Sequence, residues 1–249
     1  MGTGERRFSR LWGMETNLKV VLIAGAGSGV GRAAAVALSR VGYAVSLAGR
    51  TRVKLEATSQ LCEGQTQVVA VDLADAETAR GLVDRVVERF GRIDAIVNAA
   101  GDARLAPIAQ TTPELWRQVI DSNLSYVVHL TAAAWPIFER QGGGIIVNLS
   151  SMSSVDPFPG LTLYAAAKTG LNMFTMCTAR EGAAIGLRAI ALVLGAVETP
   201  MLRSLFDEAM LPRELAMSPE EVADVIRDLM TGTRPFESGQ TLTLTKQPA

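Results

Sequence analysis

Tyr164 and Lys168 stand four residues apart at the end of the stretch SMSSVDPFPGLTLYAAAK, residues 151–168. On a helix that spacing puts both side chains on one face. A phenol normally loses its proton near pH 10. A neighbouring ammonium favours the phenolate, so the pair reads as a general acid/base working nearer neutral pH. Ser151, on the far side of a loop containing Pro157, Pro159 and Gly160, is suited to orienting a carbonyl oxygen toward that phenol. Tyr and Lys at this spacing also occur as plain helix neighbours, so the surrounding chain must decide what the pair does.

A second chemical feature lies near the start. The apolar run 19–24 (KVVLIA) is followed by Gly25-Ala-Gly-Ser28-Gly29-Val30-Gly31 and then by an Ala-rich helical segment to about Val41. Strand, glycine turn and helix together form a phosphate-binding context. Glycine allows a tight turn and close approach to the main chain, and the helix N-terminus offers free N–H groups to a pyrophosphate. The next strand, 44–48, ends in Gly49-Arg50-Thr51-Arg52. In a dinucleotide fold an acidic residue here bonds the ribose 2′-hydroxyl, whereas arginine accommodates a 2′-phosphate. With no carboxylate and two cations, the sequence selects NADP(H) over NAD(H). The alternative is that both arginines are solvated caps of the following helix.

These features require a scaffold that brings residues 25–31 and 151–168 together, and the chain has the elements for one. Strand-type runs at 19–24, 44–48, 67–71, 93–97, 145–149, 188–194 and 241–244 alternate with helical segments at 54–62, 77–90, 113–140 and 164–184. Alternation of this kind predicts an α/β fold: one Rossmann-type, doubly wound, mainly parallel sheet of about seven strands with helices on both faces. Within 113–140, Pro136 is expected to kink or end the helix. Residues 195–217 read as a loop with a short helix, and Ser218-Pro-Glu-Glu221 as a capped helix start. Asp72 follows the third strand, where it faces a ligand or caps the next helix. Residues 1–16 lack any period and read as a flexible tail, with Met14 as a second possible start; residues 17–249 read as one domain.

Composition narrows the function classes. Of 249 residues, 48% are apolar and 20% charged, with net charge −1. No basic stripe calls for nucleic acid, and no apolar run of about 18 residues calls for a membrane span. A cytoplasmic enzyme is expected. Two cysteines, Cys62 and Cys177, make no disulfide framework or metal cluster and are expected as buried free thiols. The lone His129 is expected as a packed residue, and no metal site is expected.

Taken in order, these residues resemble the short-chain dehydrogenase/reductase family over roughly residues 18–245. Gly25, Gly29 and Gly31 match its glycine turn, with Ala24 where many members have threonine. Asn98-Ala-Ala-Gly101 matches its NNAG-type turn. Ser151 precedes Tyr164 by the usual thirteen residues, which favours it over its serine neighbours. Residues 195–199 (GAVET) match the segment that binds the nicotinamide carboxamide, with Leu194 in place of the usual proline.

The resemblance implies a hydride-transferring oxidoreductase. Asn123, Ser151, Tyr164 and Lys168 would be catalytic, with Asn123 holding a water beside the lysine. Gly25, Ser28, Gly29, Val30, Gly31, Arg50, Asp72, Leu73, Asn98, Gly101, Val197 and Thr199 would bind cofactor together with Tyr164 and Lys168. Met152, Phe158, Leu161, Met201, Leu202, Leu205 and Phe206 fall in segments that frame the pocket and suggest an apolar ketone, alcohol or 3-oxoacyl group. The lid 200–212 is expected to order on ligand binding. Family habit implies a homodimer or homotetramer through the helices at 113–140 and 164–184. The family's acidic, glycine-rich final turn is missing, which disfavours a standard interface there. Two other readings remain: a cofactor-binding regulatory or scaffold protein with weak catalysis, and dehydration or epimerisation on the same scaffold.

Overall fold

Seven apolar segments become strands of one sheet: Val20–Ala24 (β1), Ala44–Gly49 (β2), Thr66–Ala70 (β3), Ala95–Asn98 (β4), Gly144–Ser151 (β5), Leu187–Leu194 (β6) and Thr241–Leu244 (β7). The computed structural model that defines them describes residues 18–246; the tail expected at 1–16 lies outside the described residues. The order is β3-β2-β1-β4-β5-β6-β7, and every neighbouring pair is parallel. β1 is buried at every position because it is covered on both faces, so it reads as an unbroken apolar run rather than an alternating one.

The helices are Gly29–Arg40 (α1), Arg52–Leu61 (α2), Ala76–Phe90 (α3), Pro113–Ile120 (α4), Tyr126–Gln141 (α5), Thr162–Gly182 (α6), Pro200–Leu205 (α7) and Pro219–Thr231 (α8). α1 and α8 cover one face of the sheet, where Leu38 and Ile226 meet Val21, Ile23, Ile190 and Leu192. α3, α5 and α6 cover the other, where Val86, Leu130 and Leu171 meet Leu22, Ile96 and Ile146. α8 starts as its sequence predicts: Ser218 and Glu221 form a reciprocal capping box with Pro219 in the first turn.

Strand order reverses between β1 and β4, whose onward connections cross to opposite faces of the sheet. Beyond the two loops at their carboxyl ends the chain therefore parts, and a crevice opens there. Glycine at two positions lets the first of those loops close on the second. Gly25 has φ +86°, and a Cβ on it would lie 2.5 Å from the Ala100 nitrogen. A Cβ on Gly31 would lie 2.3 Å from the Gly25 oxygen, so α1 starts hard against the turn.

Three expectations change. The segment 113–140 is not one helix: a π-helical turn, Asp121–Ser125, separates α4 from α5. The extra residue in that turn rotates Asn123 inward, where it is fully buried. Pro136 neither ends nor divides the run, since α5 continues through it to Gln141. The cysteines are not buried: Cys62 is half-buried at the C-terminal end of α2, and Cys177 is exposed on α6. The helical pattern located Cys177 on a helix, but the burial expected of a free thiol is not found there.

Candidate active site

The functional residues gather at the carboxyl ends of the strands from β1 to β6. β5 ends on Ser151, whose hydroxyl accepts hydrogen bonds from the Ser153 backbone at 3.2 Å and the Ser153 hydroxyl at 2.9 Å. α6 opens two residues before Tyr164 and carries Lys168 one turn further on. The Lys168 ammonium is buried and donates to the Leu149 carbonyl of β5 at 2.8 Å. It lies 5.5 Å from the centre of the Tyr164 ring. Asn123 donates from its amide nitrogen to the carbonyls of Asp102 and Val119, while its Oδ1 is buried without a partner. A Cβ on Gly101 would lie 2.8 Å from that Oδ1 and 3.7 Å from the Lys168 Nζ. Glycine at 101 thus keeps open the gap between an orphaned acceptor and the ammonium, a gap of the kind a water fills.

Burial governs the protonation of this site. It pushes the Tyr164 phenol up to about 12, with the Ser151 hydroxyl acting in the opposite direction. It pulls the Lys168 ammonium down to about 8. Against the expectation of a lowered phenol, the net direction for Tyr164 is upward, because burial disfavours the charged form of each group.

A cavity of about 870 Å³ runs along the carboxyl edge of the sheet, and the size suits a ligand of dinucleotide or drug dimensions. Ser151, Tyr164 and Lys168 line it. So do Gly25, Ser28, Gly29, Val30, Arg50, Asp72, Leu73, Gly101, Val197 and Thr199 from the predicted cofactor set. So do Met152, Phe158, Leu161, Met201, Leu202, Leu205 and Phe206 from the predicted pocket set. Gly31, Asn98 and Asn123 are not on its surface. Gly31 packs against Gly25, and Asn98 is buried in β4 and donates to the Asn148 Oδ1 at 2.8 Å. Asn123 lies behind Gly101. Asp72 is not the cap of α3; Asp75 is, accepting from the Thr78 nitrogen, which leaves Asp72 on the cavity.

The cavity also takes in residues that motif reading passed over: Lys54, Asp102, Ala103 and Asp156. Lys54 lies in the first turn of α2, four residues after Arg50, and Asp156 sits in the loop between Ser151 and Tyr164. Their position in sequence was a usable signal for both.

The wall around Ser28 suits a pyrophosphate. Ser28 precedes α1 without a side-chain cap, and no acidic residue stands in the first turn, so the N-terminal amides and the positive end of the helix dipole are left for an anion. The donors present therefore fit a nicotinamide dinucleotide. Among the described residues there is no group of His, Cys, Asp and Glu able to hold a metal ion, and no helix is long and apolar enough to cross a membrane.

Comparison with known proteins agrees with this geometry. A family model described as short chain dehydrogenase matches residues 19–209. A 3-oxoacyl-(acyl-carrier-protein) reductase of Thermotoga maritima is 34% identical over 236 residues, covering 90% of this chain and 95% of that protein. The crystal structure of a 3-ketoacyl-(acyl-carrier-protein) reductase from Brucella melitensis, complexed with NADH, superposes with a TM-score of 0.86 at 25% identity, covering 92% of this chain and 97% of that one. Levodione reductase superposes with a TM-score of 0.85 at 27% identity, covering 92% and 96%.

Proposed function

The chain belongs to the short-chain dehydrogenase family, an oxidoreductase family that binds a nicotinamide cofactor, and on that premise we propose that it transfers hydride between NADP(H) and an apolar ketone, 3-oxoacyl group or the matching secondary alcohol. The observation that carries this reading is the meeting of Ser151, Tyr164 and Lys168 on one cavity with the glycine turn of α1.

The nicotinamide, when bound, supplies or accepts the hydride. The protein manages the proton. As negative charge grows on the carbonyl oxygen, Tyr164 donates its phenolic proton to that oxygen, and the Ser151 hydroxyl bonds the same atom. A phenol held up near 12 is fully protonated at neutral pH, the form that reduction requires. Lys168 keeps a positive charge beside the phenolate that remains, and Asn123 holds a water behind Gly101 through which the proton is replaced. Asp72 and Leu73 would hold the adenine, and Val197 and Thr199 the carboxamide. Alcohol oxidation follows the same path in reverse.

The preference for NADP(H) rests on Arg50. It is exposed on the cavity rim directly after β2 and has no carboxylate partner among the described residues. Arg52 is engaged with Glu56 at 3.7 Å one turn along α2 and does not line the cavity. Lys54 adds a second cation beside Arg50. Together they favour a 2′-phosphate over a bare hydroxyl.

Association into a homodimer or homotetramer is part of the same reading, supported by Trp116 on α4 and Met173 on α6, apolar side chains that are 42% and 58% exposed. A cytoplasmic location follows from the same reading.

The test follows NADPH and NADH absorbance against a panel of ketones, quinones, 3-oxoacyl thioesters and keto-sugars, with Tyr164→Phe as control. Turnover of apolar ketones or 3-oxoacyl compounds that requires Tyr164 and prefers NADPH supports the proposal. Cofactor binding without turnover in either direction would point instead to a binding role.

A further inference from the structure

The charges lining the cavity are spread unevenly along the sheet edge. On the side of β2 and β3 stand Arg50 and Lys54, together with Asp72. On the elements that follow β4 and β5 the lining contributes Asp102, Asp121 and Asp156. The only lining cation beyond β2 and α2 is Lys168, whose ammonium is buried and committed to the Leu149 carbonyl.

The surrounding arginines are also committed. Arg104 bonds Asp102 at 3.0 Å. On the lid, Arg203 grips the Glu198 carboxylate and donates to the Leu211 carbonyl at 2.7 Å, and Arg213 donates to Glu208 at 2.8 Å. Asp121 accepts from the Ser125 hydroxyl at 2.8 Å. Among the described residues the Asp156 carboxylate has neither an ion pair nor a hydrogen bond; Asp156 is an exposed residue that lines the cavity from the loop joining Ser151 to Tyr164.

The rest of that compartment is apolar. Phe158 and Phe206 meet edge to face with centroids 5.2 Å apart, bridging the loop after β5 and the lid after α7. Leu161, Leu202 and Leu205 line the same space. Two loops joined by an aromatic pair offer faces and edges to a flat or ring-bearing substrate. A carboxylate on such a substrate would lose water without gaining a cation, and it would be brought toward Asp156.

We propose that, within the carbonyl-reductase reading on which this rests, the cavity selects neutral or cationic ring-bearing ketones and rejects those that carry a carboxylate on the ring, with Asp156 setting the charge preference. Asp156 is a specificity residue in this scheme and takes no part in proton transfer.

The experiment compares kcat/KM of the full chain with NADPH for three matched ketones: acetophenone, para-acetylbenzoate and para-trimethylammonio-acetophenone. The parent and Asp156→Asn are assayed at low and high salt, with Tyr164→Phe as control. The expected result is a neutral-to-carboxylate ratio of about tenfold or more in the parent, narrowed about fivefold in Asp156→Asn and narrowed in the parent by added salt. A parent that uses the carboxylate as well as the neutral ketone, or a ratio that Asp156→Asn does not move, overturns the inference while Tyr164-dependent turnover leaves the carbonyl-reductase reading standing. Turnover of none of the three, or turnover that survives in Tyr164→Phe, overturns the inference, and the latter outcome removes the reductase reading with it.

Discussion

The Lys168 ammonium donates to the Leu149 carbonyl at 2.8 Å, joining the first turns of α6 to the carboxyl end of β5 in a fully buried contact. The contact fixes the helix that carries Tyr164 to the strand that carries Ser151. It also leaves a cation where cations are costly, which accounts for its fall from 10.5 to about 8. Between those two values the unfolded chain holds more protons than the folded one, so the parent gains stability as pH rises through that window. Lys168→Met removes the effect, worth about 3 kcal/mol at most. The melting temperature of Lys168→Met minus that of the parent is expected to be highest at pH 7 and to shrink by pH 9.5. A difference that is flat with pH would show that the ammonium is not desolvated.

Tyr164→Phe is expected to lower kcat by about 10²–10⁴-fold while cofactor affinity stays within a few-fold, because the ring is kept and only the proton donor is lost. Steady-state rates and cofactor titration by fluorescence check both halves. With the phenol held up near 12, alcohol oxidation by the parent should also quicken as pH rises, since oxidation needs the phenolate.

Arg50→Asp is expected to exchange the cofactor preference, weakening NADPH relative to NADH by about tenfold or more as a charge-assisted phosphate contact is replaced by repulsion. The ratio of dissociation constants is the readout. An unchanged ratio would assign the 2′-phosphate to Lys54 or to the α2 amides.

Gly31→Ala places a methyl group 2.3 Å from the Gly25 oxygen, a backbone atom that cannot swing aside. The turn must open, at a cost of about 1–3 kcal/mol. Both the melting temperature and the cofactor affinity should fall, even though Gly31 does not line the cavity. Loss of affinity with unchanged stability would mean that the residue meets cofactor directly.

Thr175→Val breaks a buried ladder that runs from Asn98 to Asn148 to Thr175, with contacts of 2.8 Å at both steps. The Asn148 amide is left without its acceptor, at a cost of about 1–3 kcal/mol. Urea unfolding should show a lower midpoint at unchanged slope, and Thr175→Ser should restore it.

The α/β class, the parallel order of strands and the glycine turn were legible in sequence because each depends on local patterning. An unbroken run such as 20–24 must be covered on both faces, and strand–glycine–helix has few other uses. Ser151, Tyr164 and Lys168 were legible by type and spacing, since a helix turn and a strand end fix where such residues can point. Even the apolar residues from Met152 to Phe206 were named from the loops that hold them.

Tertiary packing decided the rest. Whether Pro136 breaks a helix depends on neighbours that hold the helix together around it, and the π-helical turn that buries Asn123 leaves no periodic signature. Cys177 faces outward because α6 packs on the sheet with its opposite side. Spacing alone suggested a lowered Tyr164 phenol, but burial raises it, because the fold removes the water that would solvate a phenolate. Sequence determined which groups meet at this site, and the buried surroundings created by the fold determined how costly charge is on each of them.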